Sequence, residues 1–165
     1  MQEGAWGKSL FVNLPGCHCR SAPGGRTNSM EANKDLVRHY FMAFRDRDAA
    51  WWERFIAPDF IRHDPGLDFE VRGPAGVARL SEVLHGAFSD IGMHVAEVIA
   101  EGDSVLARLR FTGRHTGDFQ GKAATGNTVD IAVMDYFRVS DGRLAEHWAL
   151  MDNLTLLKQI GAVET

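Results

Sequence analysis

The apolar positions of this chain follow one period in its first half and another in its second. From Glu31 onward, Leu36, Val37, Tyr40, Phe41 and Phe44 recur at spacings of three and four, the period of a helix with one buried face. Ser29 or Asn33 can cap its start, and Arg45-Asp46-Arg47-Asp48 breaks the stripe. A second, short helix is predicted over 49–56, with Trp51, Trp52, Phe55 and Ile56, ended by Pro58. Phe60 to His63 reads as a short strand, stopped by Asp64-Pro65-Gly66. Pro74 opens a third helix reaching Phe88, with Val77, Leu80, Val83, Leu84 and Ala87 on one face.

After Asp90 the period becomes two. Strands are predicted over 93–100, 104–112, 128–139 and 143–152, with Glu101-Gly102-Asp103 as a turn. In the second of them Val105, Ala107, Leu109 and Phe111 share one face and Arg108 and Arg110 the other. A last helix over 153–160 ends at Gly161. Helices first and a long antiparallel run after them define an α+β domain.

The pair Asp141-Gly142 suits a two-residue type I′ hairpin. That register sets Val139 against Leu144, Asp135 against Trp148, Val133 against Leu150 and Ile131 against Asp152. The inner face then carries Phe137, Val139, Leu144, Trp148 and Leu150, with Asp135, Glu146 and Asp152 among them. Carboxylates on an apolar face are costly without compensation, and a hollow holding water or ligand is one solution. Asp152 is then either a cavity acid, its pKa pushed up by burial, or the N-cap of the last helix. Asp135 is a second pocket acid or an arginine's partner. Continued alternation past Phe111 brings His115 to the same side, as a pocket or loop residue. His63 can polarise a carbonyl or bond to nearby backbone. Tyr40 and Phe44 of the first helix, with Trp148 and Leu150, are candidate walls, although helical spacing equally makes Tyr40 a core residue. His147 is expected to face away, near Tyr136.

Composition narrows the classes of function. The 165 residues suit one domain, and a net charge of −4 offers no basic field for nucleic acid. No apolar run approaches the roughly 18–20 residues of a membrane span. Residues 1–29 carry breakers such as Leu14-Pro15-Gly16 and no periodicity; they read as a disordered tail or a mispredicted start, leaving 30–165 as the domain. Cys17 and Cys19 flank His18 too closely for an unstrained disulfide, and no second Cys/His pair completes a zinc site. The absence of further cysteine fits a reducing cytoplasm. With no His-x-x-x-His spacing, no metal is expected.

Several segments together resemble one family. They are Thr112-Gly113-Arg114-His115-Thr116-Gly117-Asp118-Phe119-Gln120-Gly121, Thr125-Gly126, Phe137 through Trp148, Asp152, and Leu156 through Gly161, with His63 followed by Gly73 and Gly76. They are similar to the SnoaL-like polyketide cyclase (ester cyclase) family. The resemblance implies an NTF2-like (cystatin-type) cone: a curved antiparallel sheet wrapped on three N-terminal helices, with a short C-terminal helix. It also implies ring closure by intramolecular aldol chemistry, without metal or cofactor, on a small hydrophobic or aromatic polyketide-like carbonyl compound. Asp152 takes the place of the family's acid/base, with His63 and His115 as candidate partners. The chain departs from the family in having Ala124-Thr125-Gly126 where Pro-Thr-Gly is common.

Two other functions fit the same pocket. One is a non-catalytic small-molecule binding protein. The other is a different lyase, isomerase or hydrolase; an epoxide hydrolase would want an Asp-Arg-Asp group in the cavity, and outward-facing Arg108 and Arg110 argue against it. An outer face holding Ala132, Met134, Tyr136, Ala145, Ala149 and Met151 is too apolar for bare solvent, so a homodimer is expected.

Overall fold

The computed structural model describes residues 25–163, with side chains from Ser29 onward. Three helices lead the chain: α1 (Gly25–Asp46), α2 (Ala49–Phe55) and α3 (Gly73–Ala87). Between α2 and α3 run β1 (Ile56–His63) and β2 (Val71–Arg72). Four long strands follow, β3 (Phe88–Glu101), β4 (Ser104–His115), β5 (Thr128–Ser140) and β6 (Arg143–Met151), and α4 (Asn153–Gln159) closes the domain. Helix α1 begins at Gly25, ahead of the expected start, and the rest of the N-terminal segment, with Cys17, His18 and Cys19, lies outside the described residues. Among the described residues no helix is long and apolar enough to cross a membrane.

The strands form one curved sheet in the order β2-β1-β6-β5-β4-β3. It is mixed, not antiparallel throughout, because β1 runs parallel to β6. No hairpin joins those two strands, so nothing local sets their relative direction. Their pairing is irregular between Ile56 and Ile61, the stretch that holds Pro58, a residue with no N–H for the ladder. The chain leaves β2 through Gly73 at φ +58°, where a Cβ would stand 2.9 Å from the Pro58 carbonyl oxygen; only glycine fits.

The inner face of the sheet packs on the helices through Val37, Phe41, Val77, Leu80, Phe111, Phe137 and Leu144, all buried. The β4 alternation is as expected: Val105, Ala107, Leu109 and Phe111 face in, while Arg108 and Arg110 face out beside Glu97 and Asp130. Helix α4 is fastened to β5 by Gln159, whose side chain accepts from Asp130 N (2.8 Å) and donates to Asp130 O (3.0 Å).

The β5–β6 hairpin departs from the expected register in one place. Asp141 and Gly142 have φ +50° and +70°, the signature of the type I′ turn, and Val139 pairs with Leu144. The next pair is Arg138 with Glu146, so Ala145 is an extra residue on β6, a β-bulge. Beyond it every β6 side chain changes face. Phe137 meets His147, Tyr136 meets Trp148, Asp135 meets Ala149 and Val133 meets Met151. His147, Ala149 and Met151 therefore turn inward, and Glu146, Trp148 and Leu150 turn outward.

Candidate active site

A buried polar cluster lies where α1 packs on the inner face of the sheet. His147 (0 % exposed) and Asp135 (3 %) meet on adjacent strands, with His147 Nε2 3.1 Å from Asp135 Oδ2. The ring N–H does not point straight along that line, and Asp135 Oδ1 has no protein partner. Arg62, from β1, reaches in behind the ring and places Nη1 3.1 Å from His147 Nδ1. Its Nε (3.1 Å) and Nη2 (2.7 Å) both donate to Asp64 Oδ2. Tyr40, from α1, lies against the guanidinium, and its hydroxyl has no well-formed hydrogen bond. The imidazole is held by rings: Phe137 stacks on it at 4.0 Å, and Tyr40 meets it edge-on at 5.5 Å.

Burial decides the protonation of this cluster. It pushes His147 down to about 4, assisted by Arg62 and opposed by Asp135, so the imidazole is neutral at neutral pH. Burial likewise pushes the Tyr40 phenol up to about 12, leaving it an O–H donor. Burial opposes the charge on Arg62, but Tyr40, Asp135 and Asp64 outweigh it and hold the group above its ordinary value.

Neutral in the fold and protonated when unfolded, His147 makes the unfolded chain bind more protons below its ordinary pKa. Its contribution to stability is therefore complete above about pH 6.5 and is lost as pH falls toward 4, amounting to about 3 kcal/mol. Urea unfolding at pH 7 and pH 4 checks this: stability should fall on acidification, and His147→Gln should flatten the part of the slope between pH 6.5 and 4.

Tyr40, Arg62 and Asp135 of the cluster form one wall of a void of about 30 Å³, whose other walls are apolar groups including Phe44, Met93 and Phe111. A second void of about 20 Å³ lies next to it, and the two share Arg62, Leu80, Leu84, Phe111 and Met151 as walls. Among the described residues no group of three or more His, Cys, Asp or Glu is placed to hold a metal ion.

The expected site residues separate into two sets. Asp135, Tyr40 and Phe44 line the first void. His115 is buried and inward, as its alternation implies, but it packs behind Phe88 with Nδ1 on Thr125 and lines neither void. Asp152, Trp148, Leu150 and His63 are displaced from the interior, the first three by the bulge. Asp152 is exposed and caps α4, accepting from Thr155 N at 3.0 Å. Its carboxyl lies below its ordinary value, held there by the Thr155 side chain and then its backbone N–H, the reverse of the upward push expected from burial. Trp148 stacks on His63 at 4.9 Å on the outer face, where His63 Nε2 also meets Glu146 Oε1 at 2.9 Å. Leu150 is 64 % exposed.

Sequence reasoning missed Arg62 and misdirected His147. The available signal for Arg62 was an arginine two places before an aspartate in a strand otherwise read as apolar. For His147 it was the improbable gathering of Asp135, Glu146 and Asp152 on one greasy face. The bulge resolves that gathering by moving Glu146 and Asp152 outside and giving Asp135 a histidine.

A sheet curled around an interior that mixes apolar walls with a buried acid, histidine and arginine defines an NTF2-like pocket protein. A family model for SnoaL-like polyketide cyclase matches residues 23–160, and the chain belongs to that family. It is 31 % identical over 139 residues to the aklanonic acid methyl ester cyclase DauD of Streptomyces sp. (strain C5), covering 80 % of this chain and 83 % of that one. The aklanonic acid methyl ester cyclase DnrD of Streptomyces peucetius is 31 % identical over 80 % of this chain and 92 % of its own. Among solved structures, TsrD from Streptomyces laurentii superposes with a TM-score of 0.72 at 27 % identity, covering 81 % of this chain and 97 % of that one.

Proposed function

We propose that this protein is a cofactor-independent cyclase that closes a ring by aldol chemistry on a hydrophobic, polyketide-like carbonyl compound. The observation that carries this reading is Asp135 Oδ1, a buried carboxylate oxygen with no protein partner, on the wall of a void whose lining beyond Arg62 and Tyr40 is apolar. Arg62, Asp64 and Asp135 bear one positive and two negative charges around a neutral His147. A proton taken by Asp135 from the carbon beside a carbonyl leaves Arg62 and Asp64 as a balanced pair. Tyr40 O–H stands ready to donate to the enolate oxygen that forms. The enolate carbon attacks a second carbonyl of the same molecule, and the new alkoxide recovers the proton from Asp135.

The interior as it stands holds about two waters, not a polycyclic ketone. Met151 is part of the partition between the voids, and an unbranched thioether can change rotamer without moving backbone. Substrate enters, on this reading, as the partition opens and the voids join.

Incubation with aklanonic acid methyl ester, the compound named for DauD and DnrD, tests the proposal. A cyclised product of unchanged mass should form, at the same rate after treatment with EDTA. No conversion, or conversion lost with EDTA, would sink it. A second reading is favoured by Arg62 itself: with Asp64 and Asp135 it supplies the Asp-Arg-Asp set that Arg108 and Arg110 do not. Hydrolysis of an epoxide in this cavity would give a product heavier by one water, so a parallel incubation with an aromatic epoxide, read by the same mass spectrometry, tests that reading separately.

The homodimer remains a proposal, with a revised face. Met134, Tyr136, Trp148 and Leu150 lie on the outside of the sheet, while Ala149 and Met151, expected there, point inward. Sedimentation at micromolar concentration should give twice the chain mass, and Leu150→Asp should shift the protein toward monomer.

A further inference from the structure

His147 has two neutral tautomers, and its neighbours select one. Arg62 Nη1 lies 3.1 Å from His147 Nδ1. A guanidinium carries donors only, so Nδ1 must be the acceptor and bears no hydrogen. The ring hydrogen then sits on Nε2, the atom 3.1 Å from Asp135 Oδ2. Arg62 is itself fixed, with Nε and Nη2 both donating to Asp64 Oδ2. The imidazole is confined between Phe137, stacked at 4.0 Å, and Tyr40, edge-on at 5.5 Å.

We propose that Arg62 is a positioning residue that locks His147 as the Nε2–H tautomer and closes Nδ1, so that the imidazole keeps its N–H on the side of Asp135 and never receives the substrate's proton. The catalytic meaning of this rests on the cyclase reading above; the tautomer does not. The titratable and charged groups that face His147 are Tyr40 from α1, Arg62 from β1, Asp64 just past the end of β1 and Asp135 from β5. With Nδ1 occupied, Asp135 Oδ1 is the atom of the Asp135–His147 pair left to act as base, and the rate carries no limb from His147 between pH 5 and 8.

The test is a long-range proton–nitrogen correlation spectrum of the full chain labelled with nitrogen-15 at histidine, recorded from pH 5 to 8 and assigned through the backbone. In the wild-type protein His147 should show Nε2 protonated and Nδ1 bare, with no titration over that range. A protonated Nδ1, or titration of His147 within the range, would overturn the proposal. Arg62→Lys keeps a cation beside Asp64 but lacks the fork that also reaches Nδ1. The variant should lose the single tautomer and show a mixture; a single tautomer retained would equally overturn the proposal. Circular dichroism establishes whether the variant folds, and if it does not, the wild-type spectrum decides alone. Neither measurement reads turnover, so the cyclase reading and this one stand or fall separately.

Discussion

Asp135→Asn is expected to lower the turnover of aklanonic acid methyl ester about 10²–10⁴-fold, the usual contribution of a general acid–base group. Asparagine matches aspartate in shape, so the cluster keeps its packing. What it loses is the capacity of Oδ1 to take a proton. Because that oxygen has no other partner, no protein hydrogen bond is broken in its place. Asp152→Asn is the informative control. Its side chain caps α4 on the exterior, so turnover should stay at the wild-type level. Asp152→Ala should cost about 1 kcal/mol of stability through the lost cap. Wild-type turnover by Asp135→Asn, or collapse with Asp152→Asn, would return the reaction to the C-terminal acid.

Arg62→Met is expected to destabilise the fold by about 3–5 kcal/mol in urea unfolding, the cost of removing one member of a buried ion pair. The Arg62 and Asp64 side chains are 6 % and 4 % exposed, so water cannot replace the missing guanidinium. Asp64 would keep one bond, from Gly66 N at 3.0 Å, too little to hold a buried charge. Arg62→Met combined with Asp64→Leu should recover most of the loss, since both charges leave together. A loss below about 1 kcal/mol in the single variant would place Asp64 within reach of solvent, in the range of surface pairs.

The helices and the long strands were legible because their periods are clean. Leu36 to Phe44 repeats at helical spacing, and Val105 to Phe111 alternates without a break. The type I′ turn was legible from Asp141-Gly142, since only such residues tolerate positive φ at both positions. The candidate site was legible only in part. Asp135, Tyr40 and Phe44 sit on elements whose phase is fixed by many neighbours. His147, Trp148, Leu150 and Asp152 all follow Ala145, and the phase of everything after that residue depends on whether it is paired. Nothing local distinguishes Ala145 from an ordinary strand residue: it is not glycine, and its neighbours alternate plausibly in either phase. The contacts that decide the matter, His147 with Phe137 on the neighbouring strand and with Arg62 on β1, are tertiary and leave no mark in a local pattern.

Ala145 also separates two things that hairpins usually couple. The turn and the first pair beyond it are indifferent to whether this alanine is paired or bulged, whereas the lining of the interior is not. Deleting it would straighten the strand and keep the present lining, since Glu146 already pairs with Arg138. Pairing it with Arg138 would instead slide the rest of β6 by one position and exchange interior for exterior beyond it, bringing an indole and a leucine inside and sending the imidazole out. Within this architecture the chemistry of the chamber can be rewritten without substituting any residue that lines it.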